Sequence, residues 1–274
     1  MTGPSSPAVE ALVIFGAGLA AGAVNSVAGG GTLLSFPVLL WLGRDPIVAN
    51  VSNAVALAPG SLASAFAFRR ELGRASGLLS ALLPASVVGS IFGAWLLLAT
   101  PTRWFSALVP GLILLATLLL AFKRPLMAVF ARTVGRGRDG ASAVAPNFDP
   151  TAPTGRRFWG VAAGQLAVAI YGGYFGAAMG IMMLASLALA GVDDIHQRNG
   201  LKNATSALIN IVAGIFFALR GAVDWSDAAL LGAGAVAGGF IGGSLGRRLP
   251  ARLAEALVVA IGIGVAAAQI WRRH

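Results

Sequence analysis

Three glycines in a row, Gly29, Gly30 and Gly31, interrupt the apolar stretch VNSVAGGGTLLSFPVLL (24–40), and Asn25 and Ser26 stand just before them. Each glycine costs a helix about 1 kcal/mol relative to alanine, so the helix is expected to break there. The helix that restarts beyond the break begins inside an apolar layer. Its first N–H groups lack partners and carry the positive end of the helix dipole, which is the chemistry of anion binding. A second break is expected at GAAMG (176–180), bounded by Gly176 and Gly180. A side chain at Gly30 is expected to crowd a backbone that must approach the anion. The plainer reading is that the glycines only let helices pack closely. That reading fits Gly234, Gly238, Gly242 and Gly246, a ladder at spacing four that marks a helix contact face.

Polar side chains in apolar segments add to this chemistry. The segment HQRNGLKNATSALINIVAGIFFALR (196–220) carries Asn199, Lys202, Asn203, Ser206 and Asn210 at three- and four-residue spacing, along one helical face. Its counterpart PIVANVSNAVALAPGSLASAFAF (46–68) carries Asn50, Asn53, Ser61 and Ser64. The ammonium of Lys202 can neutralise an anion inside the protein or snorkel to the interface; the sequence leaves both open. Other chemistries lack their residues. No Asp or Glu lies in an apolar run, HExxH is absent, and there is no cysteine. The run DDIH (193–196) reads as a polar turn rather than a metal site. GAGLAAG (16–22) and GAGAVAG (232–238) have the wrong spacing for a dinucleotide fingerprint. No metal and no cofactor is expected.

These residues need a membrane scaffold to position them. The chain of 274 residues is 57% hydrophobic with only 11% charged residues, against about 25% charged in soluble domains; mean hydropathy is +0.81. Charge-free runs cover 11–43, 46–68, 75–102, 104–122, 158–192, 203–219, 228–246 and 256–271. A crossing takes about 20 apolar residues, so most runs span once, while 11–43 and 158–192 are too long for one crossing. The net charge of +10 comes from basic residues placed between these runs. Such placement sets membrane topology, and no nucleic-acid partner is implied. The first ten residues, MTGPSSPAVE, lack the basic start of a signal peptide.

A shift of 149 positions aligns VVGSIFGAWLLLATPTR (87–103) with VAGGFIGGSLGRRLPAR (236–252). Val87, Gly89, Gly93, Leu96, Pro101 and Arg103 meet Val236, Gly238, Gly242, Leu245, Pro250 and Arg252. Each half contains one long run followed by three single spans. If each long run folds as a hairpin, most of the 20 basic residues fall on one side, as a cytoplasmic face requires. Each half then makes an odd number of crossings. The expected fold is an all-α polytopic membrane protein of two inverted-topology repeats. Each repeat has a glycine-broken, re-entrant first segment and three transmembrane helices. The repeats are 1–122 and 158–274, joined by a cytoplasmic linker at 123–157, rich in Arg, Gly and Pro.

The pattern resembles the sulfite exporter TauE/SafE family. The resemblance rests on GAVNSVAGGGTLLSFPVLLWLG and ANVSNAVALAPGSLASAFAF in the first half. In the second it rests on YGGYFGAAMGIMMLASLALAG, NGLKNATSALINIVAGIFF and GGFIGGSLGRRLP. It implies a transporter of small anions, often sulfur-containing ones such as sulfite, a sulfonate or sulfoacetate. An inside-negative potential drives a monoanion outward without a coupling ion, so a secondary transporter exporting the oxyanion across the bacterial cytoplasmic membrane by alternating access is expected; uptake driven by a sodium ion held by carbonyl and Asn oxygens is left open. The positions carried over are Asn25, Gly29, Gly30, Gly31, Pro37, Asn53, Gly176, Gly180, Lys202, Asn203 and Asn210; Ser26 joins them from its place beside the glycine turn. The second turn reads Ala-Ala-Met where the first is all glycine, which makes the site asymmetric. The partners implied are the anion and the lipid bilayer, and a homodimer is left open. A non-transporting membrane subunit and an intramembrane enzyme are the alternative classes. The enzyme would need a nucleophile–base pair or a metal, and the spans offer serine without histidine.

Overall fold

The computed structural model describes residues 6–27, 29–73, 76–122, 155–192 and 194–245. The run 256–271, Gly246 and nearly all of the expected linker lie outside the described residues. The described residues form ten helices and no strand: α1 (Pro7–Val27), α2 (Thr32–Trp41), α3 (Pro46–Ala67), α4 (Arg69–Gly73), α5 (Ser76–Ala99), α6 (Thr102–Ala121), α7 (Gly155–Tyr174), α8 (Met179–Leu189), α9 (Ile195–Leu219) and α10 (Trp225–Leu245). Among the described residues, five stretches are long and apolar enough to cross a membrane: Pro7–Ser26, Pro46–Ala67, Gly77–Ala99, Thr102–Ala121 and Ile195–Leu219. The protein is a multi-pass, all-helical membrane protein. By contrast α2 has 10 residues and α8 has 11, about 15 Å each at 1.5 Å per residue. That is half the roughly 30 Å hydrocarbon core.

Local sequence sets the helix starts. Asp45 caps α3, its carboxylate accepting from the N–H of Ile47 at 2.8 Å, with Pro46 in the first turn. Asp194 caps α9 in the same way through His196 N–H at 2.8 Å. The helices then pair through small residues. Along α1 and α10, a Cβ built on Gly18 or Gly22 would lie about 2 Å from the carbonyl oxygens of Leu231 or Ala235; Gly234 and Gly238 meet those of Phe15 and Leu19 as closely. The expected contact face of α10 is therefore occupied by α1, with the two helices parallel. Gly89, Gly93 and Gly173 bring α5 and α7 together in the same manner. Between these pairs run α3 and α9, antiparallel, with Val55 beside Gly214 and Phe68 beside Gly200.

Charged residues tie three helix ends together. Arg44, just after α2, donates from Nε to Asp227 of α10 at 2.6 Å, and from Nη2 to Glu10 of α1. Asp227 is only 3% exposed, and the two carboxylates hold the guanidinium above its ordinary pKa. The start of α1 and the end of α2 therefore share one side of the bundle. Similarly, Gly160, Val161 and Gly164 of α7 line a groove with Ser186 and Leu189 of α8 and Ala190 just after it, so the start of α7 lies beside the end of α8. Both broken segments fold back on themselves.

Candidate anion site

The first break sits against the middle of α3. On its near side Asn25 donates to Ser61 Oγ at 3.2 Å; beyond it Ser35 donates to Asn53 Oδ1. Asn53 lies in the first half of α3 and Ser61 in the second. The chain turns where Gly29 adopts φ +81°, and α2 restarts with Leu33 N–H bonded to Gly30 O at 3.0 Å. The second break turns at Gly176, φ +75°, and Ala178, φ +62°. Ala178 holds a left-handed conformation that costs a residue with a Cβ about 1–2 kcal/mol. It leads into α8, whose Ile181 N–H bonds to Ala178 O at 2.9 Å.

The two breaks meet at Gly29 and Gly180. A Cβ on Gly29 would lie 2.7 Å from the carbonyl carbon of Gly180, and one on Gly180 would lie 2.7 Å from Cα of Gly29. Two backbones thus touch where two half-helices begin. Gly31 is as confined, 2.4 Å from Ala21 O. At Gly30 a Cβ meets only leucine side chains, the nearest at 3.5 Å. The crowding falls on Gly29, Gly31 and Gly180, because the direction of Cβ from the turn decides what it strikes.

Lys202 does not snorkel. It is 1% exposed, and Nζ donates to Asn25 O at 2.7 Å and Ser26 O at 3.0 Å, the carbonyl end of α1. Cationic side chains are favoured at that end of a helix dipole. Asn203 Nδ2 donates to the same Ser26 oxygen at 3.1 Å. The corresponding end of α7 is met by a neutral group, Asn50 Nδ2 to Tyr174 O at 2.9 Å. One cation and several amides thus surround the crossing; Lys202, Asn50, Asn53, Asn199 and Asn203 are buried and Asn25 is half-buried. Among the described residues, the Oδ1 atoms of Asn199 and Asn203 have no hydrogen-bond partner. Asn210 is buried on α9 further along, and no hydrogen bond among the described residues joins it to the crossing.

Sequence reasoning missed several contributors. Ser35 holds Asn53, and Tyr171 Oη donates to Ala177 O at 2.7 Å, fixing the second turn. Phe36, Phe105 and Phe175 pack edge to face, with centroids 5.3 and 6.2 Å apart, beside the break. A hydroxyl in an apolar helix was the available signal for Ser35 and Tyr171. At the far ends of α3 and α10, a cavity of about 510 Å³ is lined by Arg69, Arg70, Glu71 and Ser244.

Comparison with known proteins follows the same lines. A family model described as sulfite exporter TauE/SafE matches residues 14–269. The chain is similar to the probable membrane transporter protein YfcA of Escherichia coli strain K12 and its counterpart in Escherichia coli O157:H7. Each is 26% identical over 270 residues, 96% of this chain and 90% of the relative. No solved structure matches it. With the family model spanning both broken segments and every membrane-length helix between them, the chain belongs to the sulfite exporter TauE/SafE family of membrane transporters.

Proposed function

We propose that the protein is a secondary transporter that exports a small oxyanion, such as sulfite, a sulfonate or sulfoacetate, across the bacterial cytoplasmic membrane. The anion binds between the starts of α2 and α8, among Asn25, Ser26, Gly29, Gly30, Gly31, Asn53, Gly176, Gly180, Lys202, Asn203 and Asn210. The observation that carries this reading is the backbone contact of Gly29 with Gly180. It joins two half-helix starts, which favour negative charge, beside a buried ammonium. With no room for a methyl group between the glycines, an anion enters only as the two turns separate. Alternating access then consists of parting them toward one side at a time.

The reading includes an inverted-topology repeat of 1–122 and 158–274 around a cytoplasmic linker, 123–157. Its support is geometric. The 149-residue shift pairs Gly29 with Ala178, both at positive φ. It pairs Asn25 with Tyr174, whose carbonyls each accept a side chain from the opposite half. It also pairs Gly89 and Gly93, packed on α7, with Gly238 and Gly242, packed on α1. The antiparallel α3 and α9 are what a two-fold axis in the membrane plane would relate. Because the chain has no cysteine, single cysteines report topology cleanly. A cysteine at Arg136 is expected to resist an impermeant maleimide in intact cells and to react in inverted vesicles. Labelling from outside would reverse the assignment.

Binding itself is tested by thermal unfolding of the purified protein with sulfite, sulfonates and carboxylates. An anion that binds the folded protein alone at about 100 times its Kd adds roughly 2.7 kcal/mol. The midpoint is expected to rise with one of the sulfur oxyanions and not with acetate. A subunit without transport activity would respond to none of them.

A further inference from the structure

The carbonyl end of α1 is built as a cation site. Its Asn25 and Ser26 oxygens converge on one point, where Nζ of Lys202 sits at 2.7 and 3.0 Å. The Asn203 amide donates to Ser26 O, while its own Oδ1, on a residue 0% exposed, accepts from no described group. The two carbonyls are hard oxygen donors of the kind that hold alkali cations. The negative end of the α1 dipole points at the same place. The end of α7 shows that capping alone needs no charge, since the neutral Asn50 amide caps Tyr174 O there. At α1 the protein uses a full positive charge instead, on a stem that passes Gly180, whose Cβ position is 3.2 Å from Lys202 Cδ.

We propose that the α1 terminus is a monovalent-cation site permanently filled by the Lys202 ammonium, which stands in for a free coupling cation. The charge that would otherwise arrive as a dissolved ion is covalently tethered beside the anion site. This deepens the transport reading and rests on it for its purpose, but the cation site itself can be tested without any anion.

The test is thermal unfolding of purified wild type, Lys202→Ala and Lys202→Met in choline chloride, NaCl, KCl and methylammonium chloride. Alanine opens the whole stem channel. Methionine keeps the stem and vacates the place of Nζ alone. Wild type is expected to unfold at the same temperature in all four salts. Both variants are expected to gain a saturable rise of about 3–6 °C from methylammonium or an alkali cation over choline. Recovery of a variant only in the presence of such a cation is the same result. The proposal is overturned if both variants are indifferent to the cation. It is equally overturned if wild type responds as they do, or if no cation allows either variant to fold. Anion-induced stabilisation of wild type, measured separately, reports on the transport reading whatever the cation result.

Discussion

Alanine at Gly29 is expected to abolish transport and to destabilise the protein by about 2–4 kcal/mol. Its Cβ would lie 2.7 Å from the Gly180 carbonyl carbon and 2.8 Å from Gly180 Cα. Backbone cannot swing away as a side-chain tip can, so overpacking there costs about 1–3 kcal/mol. The positive φ of Gly29 adds roughly another 1 kcal/mol for any residue with a Cβ. Gly180→Ala meets the same contact from the other side without the φ penalty, and about 1–3 kcal/mol is expected. The control is Gly111→Ala on α6, outside the proposed site, where no atom lies within 4 Å of the Cβ position. That substitution is expected to stay within about 1 kcal/mol of wild type and to keep its flux. Thermal unfolding and flux measured on all three variants decide the matter. If Gly29→Ala behaves like Gly111→Ala, the crossing is not the site.

Loss of the Lys202 ammonium is the second large effect. In choline salts, Lys202→Ala is expected to weaken anion binding by about ten- to a hundredfold, equivalent to about 1.5–3 kcal/mol for a lost charged partner. Lys202→Arg is expected to recover only part of this. A planar guanidinium does not replace a compact ammonium held between Asn25 O and Ser26 O. Titration of both variants with the stabilising anion separates the charge from the shape of the group. Unchanged affinity in the alanine variant would remove Lys202 from the anion site.

The breaks themselves were legible, because a continuous apolar helix does not tolerate three successive glycines without a large loss of stability. The polar face of α9 was legible as well: Asn199, Lys202, Asn203, Ser206 and Asn210 are all buried. Helix partners were not. The ladder of Gly234, Gly238 and Gly242 announces that something packs closely, but a row of missing side chains fits any helix backbone. That α1 fills it emerges only in three dimensions. The left-handed turn at Ala178 gave no sign, since alanine is a helix former and only the surrounding contacts hold it there. Arg44 lies 34 positions from Glu10 and 183 from Asp227 along the chain, so no local pattern joins them. Lys202 was ambiguous for a related reason. Its place near the start of α9 fits either burial or snorkelling, and the carbonyls of α1 that receive it belong to the other half of the chain.

Anion export is tested most directly by flux through purified protein in liposomes under an imposed membrane potential. A negative potential moves a monoanion outward with about 2.3 kcal/mol per 100 mV, and the apolar runs hold no Asp or Glu to carry a coupling proton. Efflux of the stabilising sulfur oxyanion is therefore expected to rise with inside-negative potential, in choline buffer as fast as in sodium. No flux above protein-free liposomes at any potential, or flux that appears only with sodium, would contradict it.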